Sequence, residues 1–113
     1  MDEKEIDHIV VEIVDAIERN KDALIFTKQG MVMLIHSTMK LVEIYAKKVA
    51  GDIKKRIVIS ACQAILNKLC EIEKERDALL EIIDTLGETI IDSAIELNKK
   101  VNFGKKLFLF CCK

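Results

Sequence analysis

Proline and tryptophan are absent from this chain of 113 residues, and glycine occurs only four times. Aromatics are scarce as well: Phe26, Tyr45, Phe103, Phe108 and Phe110 are the full set. A sheet protein draws on aromatic and β-branched residues and is punctuated by Pro, Gly and Asn turns. With that punctuation missing, long uninterrupted helices are the simpler reading. The uncharged stretch Gln29 to Met39, which no other exceeds in length, falls well short of the ~20 residues that a bilayer-spanning helix needs. No secretory signal is expected, because the N-terminus is acidic and lacks an apolar h-region.

What is present fits one small domain. Half of the residues are hydrophobic and a third are charged, a mix too apolar for intrinsic disorder and too charged for a membrane-embedded chain. The formal net charge is −1, unevenly spread. Met1 to Asp22 holds eight acids against three bases, whereas Leu97 to Lys113 holds five lysines and no acid. Solvated helix faces account for such an asymmetry without any partner.

The four cysteines do not read as two disulfides. Cys62 and Cys70 would lie on one helix about 12 Å apart, beyond disulfide reach. Cys111 and Cys112 are adjacent and strained as a pair. Free thiols in a reducing compartment, and so an intracellular location, are expected.

Apolar spacing of three and four residues predicts four helices. The first covers about Glu3 to Asn20, with Ile6, Ile9, Val10, Ile13 and Ile17 inward. A connector follows, in which Ala23 to Phe26 is expected to form a docked helical turn. Thr27 is placed to cap a second helix from Lys28 to Ala50. Gly51 would stop that helix, and Asp52 would cap a third from Asp52 to Glu71. Residues 71–77 are left open as link or helix. The fourth helix covers about Asp77 to Lys100, with Leu79, Ile83, Leu86, Ile90, Ala94 and Leu97 inward. Gly87 inside it costs about 1 kcal/mol relative to Ala, which points to close packing on a neighbour.

The last stretch changes character. Lys105 and Lys106 precede Leu107, Phe108, Leu109 and Phe110, then Cys111, Cys112 and Lys113. The run has no helical period. Lysines that meet anionic lipid, apolar residues that enter the interface and acylatable thiols make up a reversible membrane anchor. Packing on the bundle or on a partner would cover the same residues.

The segments MLIHSTMKLVEIYAKK, GDIKKRIVISACQAIL, IIDTLGETIIDSAIELNKKV and KKLFLFCCK, spread over Phe26 to Lys113, resemble a group of small uncharacterised helical proteins of large nucleocytoplasmic DNA viruses. The resemblance implies a viral origin and an intracellular or virion location. It carries over no active site.

Catalytic constellations are not evident. His8 and His36 are the only histidines, and no nucleophile motif surrounds them, so His36 is expected to be a packed structural residue. The paired spacings of a zinc site are missing, and the glycines are too isolated to cradle a phosphate. Lys54, Lys55 and Arg56 follow a helix–Gly–helix turn and are a nucleic-acid candidate, but the slightly acidic chain argues against it. Those bases are also electrostatically wrong for a helix start, which marks a surface with an outside partner.

The expectation is therefore an all-α, four-helix bundle-like domain (1–100) with a short basic and apolar C-terminal tail (101–113). It is read as a non-enzymatic structural or interaction protein with no cofactor, no metal and no small-molecule substrate. Its partner would be another protein or a second copy. A peripheral membrane protein held by Lys105 to Cys112, or a small DNA-associated protein, are the alternatives.

Overall fold

The computed structural model describes residues 2–101. Four α-helices and a short 3₁₀ turn fill that span, with no strand among the described residues. The all-α architecture expected from composition is present.

Helix α1 (Glu3–Glu18) opens on Asp2, whose carboxylate accepts a hydrogen bond from the Glu5 amide at 2.9 Å. An acid at this place also suits the positive end of the helix dipole. Ile6, Ile9, Ile13, Val14 and Ile17 face inward, and Val10 is half-buried. The expected turn over 23–26 lies earlier, as a 3₁₀ turn over Lys21–Ala23. Beyond it Leu24 and Phe26 dock on the core while Ile25 faces solvent.

Thr27 caps α2 (Lys28–Tyr45) by accepting from the Gly30 amide at 3.0 Å. The chain here passes so close that a Cβ on Gly30 would lie 1.8 Å from the Ile25 carbonyl oxygen. The helix ends at Tyr45, not at Ala50. Its apolar rhythm runs on because Ala46 and Val49 still pack on the core, now from a turn. Burial favours the side chain whichever backbone carries it. Gly51 is the first residue of α3 (Gly51–Leu69), not a stop, and Ala50, not Asp52, holds the N-cap place. Asp52 lies in the first turn instead, where its charge suits the dipole.

Helix α3 is the axle of the fold. It packs against the other three helices, and Ile57, Val58, Ala61, Cys62, Ile65 and Leu66 have no solvent access. Residues 70–72 link it to α4 (Glu73–Val101), so most of the charged segment left open by the sequence is the first turn of a helix.

The inward face of α4 is rotated from the expected one. Leu79, Ile83, Gly87 and Ile91 are buried, while Leu86 and Leu97 are exposed. Gly87 is the reason. The Ile59 Cδ1 of α3 comes within 3.3 Å of where its Cβ would stand. The Ile59 side chain thus packs on a residue that hydrophobic spacing does not count.

Side-chain contacts fix the directions. Glu3 with Arg56 and Glu18 with Lys68 run α1 parallel to α3. Glu43 with Lys54, and Thr38 with Cys62, run α2 antiparallel to it. Lys55 with Asp92 runs α4 antiparallel as well.

Candidate functional site

The three consecutive bases at the start of α3 do not form one face. Successive residues on a helix point about 100° apart, and here each turns to a different neighbour. Lys54 reaches Glu43 Oε1 of α2 at 2.7 Å, with both side chains almost wholly buried. Lys55 reaches Asp92 Oδ1 of α4 at 2.6 Å. Arg56 bonds Glu3 of α1. The hydrogen bond that Arg56 donates to Glu3, and then the Glu3 charge, push the already high Arg56 pKa higher. Lys55 and Arg56 keep part of their side chains at the surface, whereas Lys54 does not. Together the three tie the axle to all three surrounding helices.

Lys54 was readable with hindsight. It precedes Ile57, Val58 and Ala61 by three, four and seven residues, so it belongs to the buried stripe. Glu43 follows Met39 by four and precedes Ala46 by three. A charge on an apolar stripe signals a buried partner.

A second polar rung crosses the same α2–α3 interface. The Thr38 hydroxyl donates to the Leu34 carbonyl at 2.8 Å and receives the Cys62 thiol at 3.7 Å. Burial pushes the Cys62 thiol up to about 12, against the smaller lowering effect of the Thr38 contact. Such a thiol stays protonated at neutral pH and is a poor nucleophile. Cys62 and Cys70 are both free, as their spacing required.

Both histidines are exposed, His8 beside a shallow depression at the start of α1. His8 lies 2.7 Å from Glu12 on the open face of α1. His36 is at the surface rather than packed inside, one position round the helix from buried Ile35. Desolvation by its neighbours, and then the Lys40 charge, lower its pKa. Among the described residues, no group of three or more His, Cys, Asp or Glu could hold a metal ion. No helix among them is long and apolar enough to cross a membrane.

A groove of about 410 Å³ lies between the last turn of α1, the connector and α2. Ala16 and Ile17 form one wall, Leu24 and Ile25 the end, and Gly30, Met33, Leu34 and Leu41 the other wall. Ser37 and Lys40 are its polar members on α2. Ile25 and Met33 stand 52% and 58% exposed, so its rim is apolar and wet. No motif marked this groove in the sequence. Its signal was Met33 and Ile25 falling outside the buried stripes.

The tail candidates Lys105, Lys106, Leu107, Phe108, Leu109, Phe110, Cys111 and Cys112 lie outside the described residues. Comparison with protein-family models, with curated proteins and with solved structures finds no match. The described residues form a small all-α fold built round a central helix, with an apolar groove open between α1 and α2.

Proposed function

We propose that this chain is a non-enzymatic interaction protein whose contact face is the α1–α2 side of the bundle. The observation that carries this is the apolar groove with Ile25 and Met33 exposed on its rim. Helical spacing continues that face along α2 through Lys40 to Ile44, which is 64% exposed. Exposed apolar surface that is clustered beside a groove marks a contact site more often than scattered residues do. The occupant put forward is protein: a second copy of the chain, or an apolar peptide segment able to fill the groove. Free Cys62 and Cys70 fit a reducing, intracellular setting.

Nucleic acid is disfavoured because Lys54 is buried while Lys55 and Arg56 are engaged with acids. Phosphate binding draws on bases that are free to give up counterions. Membrane attachment rests on Lys105 to Cys112 alone and predicts flotation of the acylated full chain with anionic vesicles.

The test is photo-crosslinking with a photoreactive residue in place of Met33, beside a control in place of exposed Leu86 on α4. A protein adduct from position 33 that is absent from position 86, and is lost with Ile25→Asp, supports the contact face. Equal or absent adducts from the two positions overturn it.

A further inference from the structure

Helix α2 carries charge of one sign where it meets water. From Ala23 to Gly51 the only acid is Glu43, and it is buried against Lys54. Lys28, Lys40, Lys47 and Lys48 are exposed. Lys40 stands in a row with Met33, Ser37 and Ile44, at steps of four, three and four, the spacing of a seam between helices. All four residues of the row are exposed. Among the described residues Lys40 is in no ion pair. A surface of this kind fits a helix that presents an apolar side chain flanked by acids.

The chain itself has such a helix. On α1, Asp7, Val11 and Asp15 follow one another at steps of four. All three are exposed, Val11 by 56%. The ion pairs of α1 use Glu3, Glu12 and Glu18, while Asp7 and Asp15 feel the charges of Arg56 and Lys68 on α3 at longer range. This row therefore lies on the α3 side of α1. Ala16 and Ile17, which line the groove, stand roughly 120–140° round the helix from Val11. The acidic row and the basic row of one molecule face different ways, so they can meet only between two copies.

Their spacings agree. A side chain that enters a helix surface seats among residues at i, i+3, i+4 and i+7. Met33, His36, Ser37 and Lys40 form that set, and short Ser37 leaves room within it. With Val11 seated there, Lys40 is displaced along the axis by about 5 Å, and each aspartate by about 6 Å, one on either side. One of the two is level with Lys40 whether the helices run parallel or antiparallel.

We infer that α2 of one copy packs on α1 of a second copy, with Val11 among Met33, His36, Ser37 and Lys40, and with Lys40 against Asp7 or Asp15. This rests on the α1–α2 side being a contact face, and it names the occupant. The contact joins unlike surfaces, so assembly runs head to tail, and each added copy brings one row of each kind. One helix laid on another makes a small interface, of the class that forms and parts readily.

The test is sedimentation velocity of the full chain over a range of concentrations. The expected mass climbs past that of a dimer as concentration rises. Lys40→Glu weakens association about tenfold, the effect of turning one exposed attraction into a repulsion. Adding Asp7→Lys with Asp15→Lys restores it. Met33→Asp with Lys40→Glu closes the α2 row alone, and Val11→Asp closes the α1 row alone, so each variant by itself is monomeric. Mixed, the two form a one-to-one pair that grows no further. A wild type that stays monomeric or stops at a dimer overturns the inference. So does a mixture of the two variants that fails to pair or grows past a pair. In any of those cases, adducts from position 33 to other proteins leave the contact face standing with a different occupant. Association that ignores Met33→Asp with Lys40→Glu, in a chain that gives no adducts from position 33, sinks the contact face as well.

Discussion

Helix α2 has two unlike sides. Towards α3 it is closed: Glu43 grips Lys54 at 2.7 Å with both side chains out of water, and Thr38 meets the Cys62 thiol. Towards α1 it is open, a groove of about 410 Å³ with Met33 and Ile25 on the rim. The closed side puts polar groups inside, where each must be matched. The open side puts apolar groups outside, where each could be covered. Both invert the ordinary arrangement, and the inversions serve different ends. A buried ion pair adds little net stability, because desolvation offsets most of the attraction. What it adds is direction, since no other register of α2 on α3 brings Glu43 to Lys54. The open side adds no register and is free to serve contact.

The largest break in this comparison comes from halving the pair. Lys54→Met removes the ammonium and leaves the Glu43 carboxylate in the interior without it. Unfolding in urea is expected to show a loss of about 3–5 kcal/mol. Joining it to Glu43→Leu is expected to recover most of that loss, because two apolar side chains can replace a buried pair at similar volume. A double variant as weak as the single one would mean that the pair carries net stability. Next in size is Gly30→Ala, at the end of the groove. Its Cβ would stand 1.8 Å from the Ile25 carbonyl oxygen, a backbone atom that cannot swing aside. A loss of about 2–3 kcal/mol follows, in the range of strain at a tight backbone contact. A smaller loss would show that the connector is free to move, and the groove end with it.

Cys62 gives a pH test of the closed side. Burial holds its folded pKa at about 12, above the thiol's ordinary value of 9.0. The thiol ionises more readily in the unfolded chain, so its contribution is intact below pH 9.0 and is lost as the pH rises towards 12. Within that window the wild type should lose about 1.4 kcal/mol per pH unit relative to Cys62→Ala. Chemical denaturation of both proteins at several pH values from 8 to 11 measures the difference. Parallel pH curves would mean that the thiol reaches water in the folded state.

Helix number, the Thr27 cap and most of the core were legible in the sequence, because each rests on local spacing or on a side chain three residues from its amide. Features set by a neighbouring helix were less so. The end of α2 was overrun because Ala46 and Val49 keep the apolar rhythm after the helix has stopped. The face of α4 was misjudged because Gly87, which carries no apolar side chain, is where the Ile59 side chain of α3 packs. The basic run at 54–56 reads as one patch in a linear sequence, but the helical turn sends its members to α2, α4 and α1. The groove leaves the weakest trace, since nothing in a single sequence distinguishes an exposed Met33 beside a hollow from one on a flat face.

The smallest expected stability effect concerns that open side and separates it most sharply from the closed one. Met33→Asp and Ile25→Asp place a charge on side chains that are already more than half exposed. Less than half of each side chain is out of water, and the backbone needs no change. Each should shift unfolding free energy by no more than about 0.5 kcal/mol, as surface substitutions do. Yet each puts a carboxylate on the rim of an apolar groove, where any apolar occupant would have to strip its water. Adducts formed from a probe at position 33 should therefore vanish with Ile25→Asp while the urea midpoint stays in place. A large drop in the midpoint would mean that Met33 and Ile25 belong to the core of the fold, and the α1–α2 side would then be closed like its opposite.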